Sequence, residues 1–218
     1  AQLELVMAHV VFLAISSGRF SILTFSWCMS YFRMTAAGVI LCCLPIILIH
    51  TACTPIVRKV VSVVGMRRGY LLISTYKGMV TGLFVLQPYL SWPWFAQYYM
   101  SSLVSGWDAL TKTMCVEIFK GRFGKYMALS TLCKHGAVAI ASPLYALAFD
   151  AKATSYTSRL RPGFVSFVCY GLAMLAVFHP SGGVWPMFCR GLDAMQADSD
   201  READAIRDGP RAETKKAD

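Results

Sequence analysis

Asp108 and Lys112 stand one helical turn apart inside an apolar stretch, a spacing that lets a carboxylate and an ammonium face the same way and offset each other's burial. An aspartate deprived of such a partner takes up a proton, which is the chemistry of a coupling or substrate site. The plainer role is a structural pair that ties helices together. Arg19 interrupts the first apolar run and offers a positive charge suited to an anionic substrate, to which Lys134 and His135 could add. Lys134 lies about two turns from Lys125, so snorkelling toward that basic end is its structural reading. Lys77 reads the same way. His9 and His50 have no ligand-like neighbour in sequence and are expected to be packed and hydrogen-bonded.

These residues are carried by segments too apolar for water. The 218-residue chain is 56% hydrophobic and 15% charged, with a mean hydropathy of +0.51. A soluble domain typically carries about 25% charge. Six apolar runs, near 3–32, 35–57, 70–86, 96–119, 126–149 and 163–178, approach the ~20 residues needed to cross a bilayer core. The expected fold is therefore all-α and polytopic, with six transmembrane helices. A charge at position 19 cannot face lipid cheaply, at about 2.5 kcal/mol or more near midplane, so Arg19 is expected to point into the bundle.

Within the runs, Ser16, Ser17 and Gly18 leave the first as one tilted helix or one with a soft middle. Pro45 and Pro55 bend the second without excluding it from a membrane. Gly78-x-x-x-Gly82 in the third allows close helix contact. Trp92, Pro93 and Trp94 form an uncharged turn suited to an interface. From Asp193 onward the composition turns to Asp, Glu, Arg, Lys and Ala. Two parts are thus expected: a six-helix transmembrane domain over 1–190, and a charged, disordered tail over 191–218 in which 199–206 could form a short surface helix.

The net charge of +9 sits largely between the apolar runs, so it reads as topology and headgroup attraction, with no nucleic-acid partner. Arg58, Lys59, Arg67, Arg68, Lys120, Arg122 and Lys125 occupy the even loops, and Arg33, Lys152, Arg159 and Arg161 the odd ones. Seven against four places both termini on the cytoplasmic or matrix-like side. Eight cysteines without C-x-x-C spacing are expected to be buried thiols, with no metal site. The absence of asparagine excludes N-linked glycosylation. A chain that opens on Ala and turns apolar at once, with no basic leader, is expected to be a processed protein or part of a longer one.

Hydrolase, nucleotide-binding and dinucleotide motifs are missing, so no enzyme is expected. One imidazole in a helix suffices for haem or chlorophyll, but single histidines (His9, His50, His135, His179) are a poor signal, and no cofactor is implied.

The layout resembles the C-terminal six-helix half of a major facilitator superfamily transporter. The likeness rests on the basic loop ending in Gly65-Met66-Arg67-Arg68, on Arg122-Phe123-Gly124, and on Ala141-Ser142-Pro143-Leu144-Tyr145-Ala146, which is similar to a small-residue-plus-proline segment of the family's eleventh helix. The acidic residue that precedes the basic turn in the family is absent from 55–65, so its gating charge network is not carried over. The resemblance implies a secondary carrier of a small organic solute, for which the positive charge of Arg19 suggests an anion. Two such halves enclose a path and rock about it. Half a carrier encloses no path, so the implied partners, besides the lipid bilayer, are the missing N-terminal half, a second copy or other membrane subunits. The alternative is a transporter-like structural subunit without transport activity in a larger membrane complex.

Overall fold

The computed structural model describes residues 2–31, 33–90, 99–100, 103, 106–150, 152, 155–179 and 183–214. Seven helices occupy them: α1 (Gln2–Tyr31), α2 (Ala36–Val64), α3 (Met66–Leu90), α4 (Gly106–Ile118), α5 (Phe123–Ala148), α6 (Tyr156–Phe178) and α7 (Trp185–Thr214). No strand occurs among the described residues, so the chain is all-helical. Each of the six apolar runs overlaps one of α1 through α6, the fourth, near 96–119, being described as α4 over Gly106–Ile118 alone. Of these, Ala36–Val64 and Thr157–Phe178 are long and apolar enough to cross a membrane, and Leu3–Ser17 is a shorter apolar stretch. The turn at Trp92, Pro93 and Trp94 lies outside the described residues.

α1 runs unbroken through Ser16, Ser17 and Gly18. It packs chiefly on α6 and α5, while α6 also packs on α3, and α4 on α7. The contacts are sewn by side chains bonding carbonyls on neighbouring helices. The Tyr145 hydroxyl donates to the Ile15 carbonyl at 2.9 Å, and the Ser166 hydroxyl to that of Ser16 at 2.9 Å. Tyr170 reaches the Ser74 carbonyl at 2.5 Å. Each such bond is worth about 0.6 kcal/mol in a membrane bundle. Its larger effect is to satisfy the hydroxyl that makes it.

The glycine pair in α3 does what its spacing suggests. A Cβ on Gly78 would sit 3.0 Å from the Tyr170 ring, and one on Gly82 would sit 3.4 Å from the Phe167 ring, so α6 lies close over both.

Two apolar clusters mark opposite ends of the bundle. One gathers the start of α1 (Val6), the α2–α3 turn (Val61, Tyr70), the α4–α5 turn (Met114, Tyr126) and the start of α7 (Phe188). The other joins Ile15 and Cys28 of α1, Val39 of α2 and Tyr145 of α5. The basic turns at 65–68 and 120–125 therefore share one end, as expected of consecutive antiparallel helices joined by short connections.

Three boundaries differ from the sequence expectation. α2 continues through Arg58 and Lys59 to Val64, where Gly65, with φ +92°, ends it and donates its N–H to the Val61 carbonyl at 2.9 Å. That conformation favours glycine. α6 begins at Tyr156, with the Ser155 hydroxyl accepting from the Ser158 N–H at 3.3 Å, so Arg159 and Arg161 are helical. In both places charge marks where the helix meets polar surroundings, not where its hydrogen bonding stops.

The third difference is the tail expected over 191–218. The boundary falls inside α7, and Leu192, beyond it, is fully buried. Phe188, Leu192 and Met195, at i, i+4 and i+7, form an apolar stripe that packs into the bundle, and Ala194, Gln196, Ala197, Arg201, Glu202 and Ala203 beside them are good helix formers. Intrahelical pairs such as Gln196–Asp200 at 2.8 Å support the outer face. Residues 215–218 lie outside the described residues.

α7 and α4 touch closely. A Cβ at Gly191 would sit 2.8 Å from Ile118 Cγ1 and 3.0 Å from Met114 Cγ. Gly191→Val is expected to destabilise this docking by about 1–3 kcal/mol through overpacking. Limited proteolysis in detergent would show it as faster cleavage within α7, while wild-type cleavage rates would count against the close contact.

Candidate functional site

The residues singled out in the sequence separate into three groups. Arg19 is on α1, and Asp108 and Lys112 on α4, but their side chains lie outside the described residues. Lys134 and His135 lie near the middle of α5 and are both exposed. Of the basic-loop residues, only Gly65 lies between α2 and α3; Arg67 and Arg68, read as part of a loop, belong to the first turn of α3.

α5 is a helix with one buried stripe. Tyr126, Ser130, Ala137, Ala141 and Tyr145 face inward, and the rest of the helix is turned out or to its flanks. Lys134 and His135, which the sequence reading offered as additions to a positive site, are exposed and not among the buried residues. By spacing Lys134, four positions after Ser130 and three before Ala137, lies beside the inward stripe and within electrostatic reach of buried Cys115 on α4, while His135 is turned about 100° further round. Lys134 is about 17 Å from the first residue of α5, at ~1.5 Å per residue.

The interior instead holds His9, a residue read as packed. It is 1% exposed, and its Nδ1–H donates to the Ala173 carbonyl at 2.9 Å, with the edge of its ring toward Phe188, centroids 6.0 Å apart. Tyr70 also meets Phe188 edge-on at 6.0 Å. Among the described residues no three His, Cys, Asp or Glu side chains gather to hold a metal ion, and the eight cysteines are free thiols.

The basic turn has the most defined polar geometry. Arg67 binds Asp193 of α7 through two parallel hydrogen bonds, Nε to Oδ1 at 2.6 Å and Nη2 to Oδ2. The Met66 N–H, left open at the start of α3, donates to Gln196 Oε1 at 3.2 Å. Arg68 is exposed. Arg67 thus finds its carboxylate 126 positions downstream in sequence. Asp193 and Gln196 escaped the sequence reading because their helix was taken for a tail. The spacing of Phe188, Leu192 and Met195 was the available signal.

Compared with protein-family models, curated proteins and solved structures, the chain matches none. The reading of the site therefore rests on its own geometry.

Hydrogen bonds from Arg67 hold the Asp193 carboxyl below its ordinary range. Because the folded pKa is the lower one, the contribution of this pair to α7 docking is fully present above the unfolded carboxylate pKa, about 3.9. It declines as pH falls through the folded value beneath that. The pair is half exposed, so its worth is modest. Protease sensitivity of α7 is expected to rise below about pH 4 in wild type. Asp193→Asn should show that raised sensitivity at neutral pH already. An α7 equally protected in both proteins at pH 7 would deny the pair any role in docking.

Proposed function

We propose that this chain is a multi-pass membrane protein of six crossing helices that forms one half of a secondary carrier for a small, anionic organic solute. The single observation carrying this reading is the exposed position of Lys134 and His135 at mid-length of α5, with Lys134 beside the helix's inward stripe. In lipid, an ammonium at that depth is expensive, and such side chains normally face protein or water. A half-carrier explains the placement, because its path runs along its outer face, against a second bundle, and not through its own interior. The interior is correspondingly closed by Ser16, Tyr145, Ser166 and Tyr170. Arg19 and the pair Asp108 and Lys112 remain the proposed further contributors to solute binding or coupling.

The second reading, a transporter-like subunit without flux in a larger membrane complex, draws on the Arg67–Asp193 clasp. A basic turn pinned to α7 by a bidentate pair resembles a fixed brace more than a moving gate. Both readings place the basic turns and both termini on the cytoplasmic or matrix-like face and require a second bundle on α5. Mild-detergent purification of the full chain with its native partners, followed by flux measurement in vesicles, decides between them. The carrier reading expects a stoichiometric six-helix companion together with solute flux. Stoichiometric companions without flux favour the subunit, and a lone chain in native membranes contradicts both.

A further inference from the structure

The end of the bundle opposite the basic turns carries an open groove of about 550 Å³ between the close of α5 and the start of α6. Its walls are apolar: Leu144 and Leu147 from α5, Leu160 and Phe164 from α6. Its polar groups are Arg161 and Thr157. On α6, positions 157, 160, 161 and 164 follow the i, i+3, i+4, i+7 rule, so a hydroxyl, a guanidinium and two apolar side chains share one face. Leu144 and Leu147 oppose them one turn apart.

Two further features bear on what fits there. Arg161 lies near the start of the stretch Thr157–Phe178 and is its last charged residue, so its guanidinium can reach the headgroup level at that end of the helix. The surroundings favour an anion: Lys152, Arg159 and Arg161 outnumber Asp150 in this segment, and the start of α6 adds the positive end of its dipole. A soluble anion would leave the leucine and phenylalanine walls unused, with Phe164 58% and Leu147 83% exposed. An uncharged acyl chain would leave Arg161 unused. One molecule uses both.

We propose that this groove binds an anionic phospholipid, with its phosphate on Arg161 and Thr157 and one acyl chain lying along Leu144, Leu160 and Phe164. The proposal rests on the membrane reading above but not on transport. Phosphate suits the guanidinium's fork of donors, and the apolar walls select a headgroup tethered to a chain. A lipid seated there bridges α5 and α6, whose own mutual packing is slight beside their packing on α1.

The test uses the full chain reconstituted in vesicles of equal phosphatidylglycerol and phosphatidylcholine, with flotation scored first and retained lipid then counted by native mass spectrometry. Wild type is expected to float and to retain phosphatidylglycerol at least fivefold over phosphatidylcholine. Arg161→Gln should float but fall below twofold, and Arg122→Gln, at the other end, should match wild type. Leu144→Trp, which fills the groove and keeps Arg161, should also lose the preference, so the test survives a poorly folded Arg161 variant. A floating wild type with no preference, or a preference unchanged by Arg161→Gln and Leu144→Trp, overturns the lipid site while sparing the membrane reading. Displacement of the lipid by millimolar inorganic phosphate would make it a soluble-anion site and overturn the proposal. A wild type that does not float overturns both.

Discussion

Leu48→Lys is expected to remove most of the chain from the membrane fraction. Leu48 sits near the centre of α2 and is 72% exposed, with Leu41, Leu44 and Ile47 exposed beside it. If water surrounds this face, adding a lysine changes stability by about 0.5 kcal/mol or less. If hydrocarbon surrounds it, a lysine at the helix centre costs about 2.5–3.5 kcal/mol, roughly a hundredfold in the inserted population. Val63→Lys supplies the control. Val63 is 79% exposed but lies beside the Gly65 turn, where a lysine reaches the interface, so insertion should be close to wild type. Equal tolerance of both changes, read by flotation of the expressed chain, would place α2 in water.

The joint change Lys134→Ala and His135→Ala is expected to lower solute uptake tenfold or more while the chain stays folded and inserted. Both side chains are exposed, so their loss opens no cavity in the core. In lipid, removing a mid-depth charge should even favour insertion. A structural subunit behaves differently: the companion bundle is lost on purification, because an exposed cation facing a partner is then a docking contact. Uptake into vesicles and companion retention, measured on one preparation, separate the two. Unchanged uptake together with unchanged retention would remove Lys134 and His135 from any site.

Much of the bundle was legible in the residues because the solvent preference of long apolar runs is strong. Each run holds a helix among the described residues, the fourth over Gly106–Ile118 only, and the Gly78–Gly82 spacing marked a close contact that Tyr170 and Phe167 of α6 fill. What composition hid was helix held by other means. Arg58 and Lys59 looked like a loop because they are charged, yet backbone bonding runs on until a positive-φ glycine stops it. α7 looked like a solvated tail because three apolar residues are diluted among acids and bases, and only their i, i+4, i+7 spacing shows a buried stripe.

The site was legible in residue type and less so in burial. Helical spacing puts Lys134 beside the stripe through Ser130, Ala137 and Tyr145 and His135 further round, but whether they are covered depends on which helices pack at that level. The Arg67 partner could not be found by reading along the loop, since Asp193 reaches it only after the chain has passed up and down the bundle. Pairings of that kind are set by topology, and short motifs do not record them.

The direct test of embedding is alkaline extraction of membranes from cells making the full chain, followed by centrifugation. A bundle whose outer leucines and isoleucines meet lipid stays with the pellet and is released only by detergent. Recovery of the intact chain as a monomer in the aqueous wash would contradict the account.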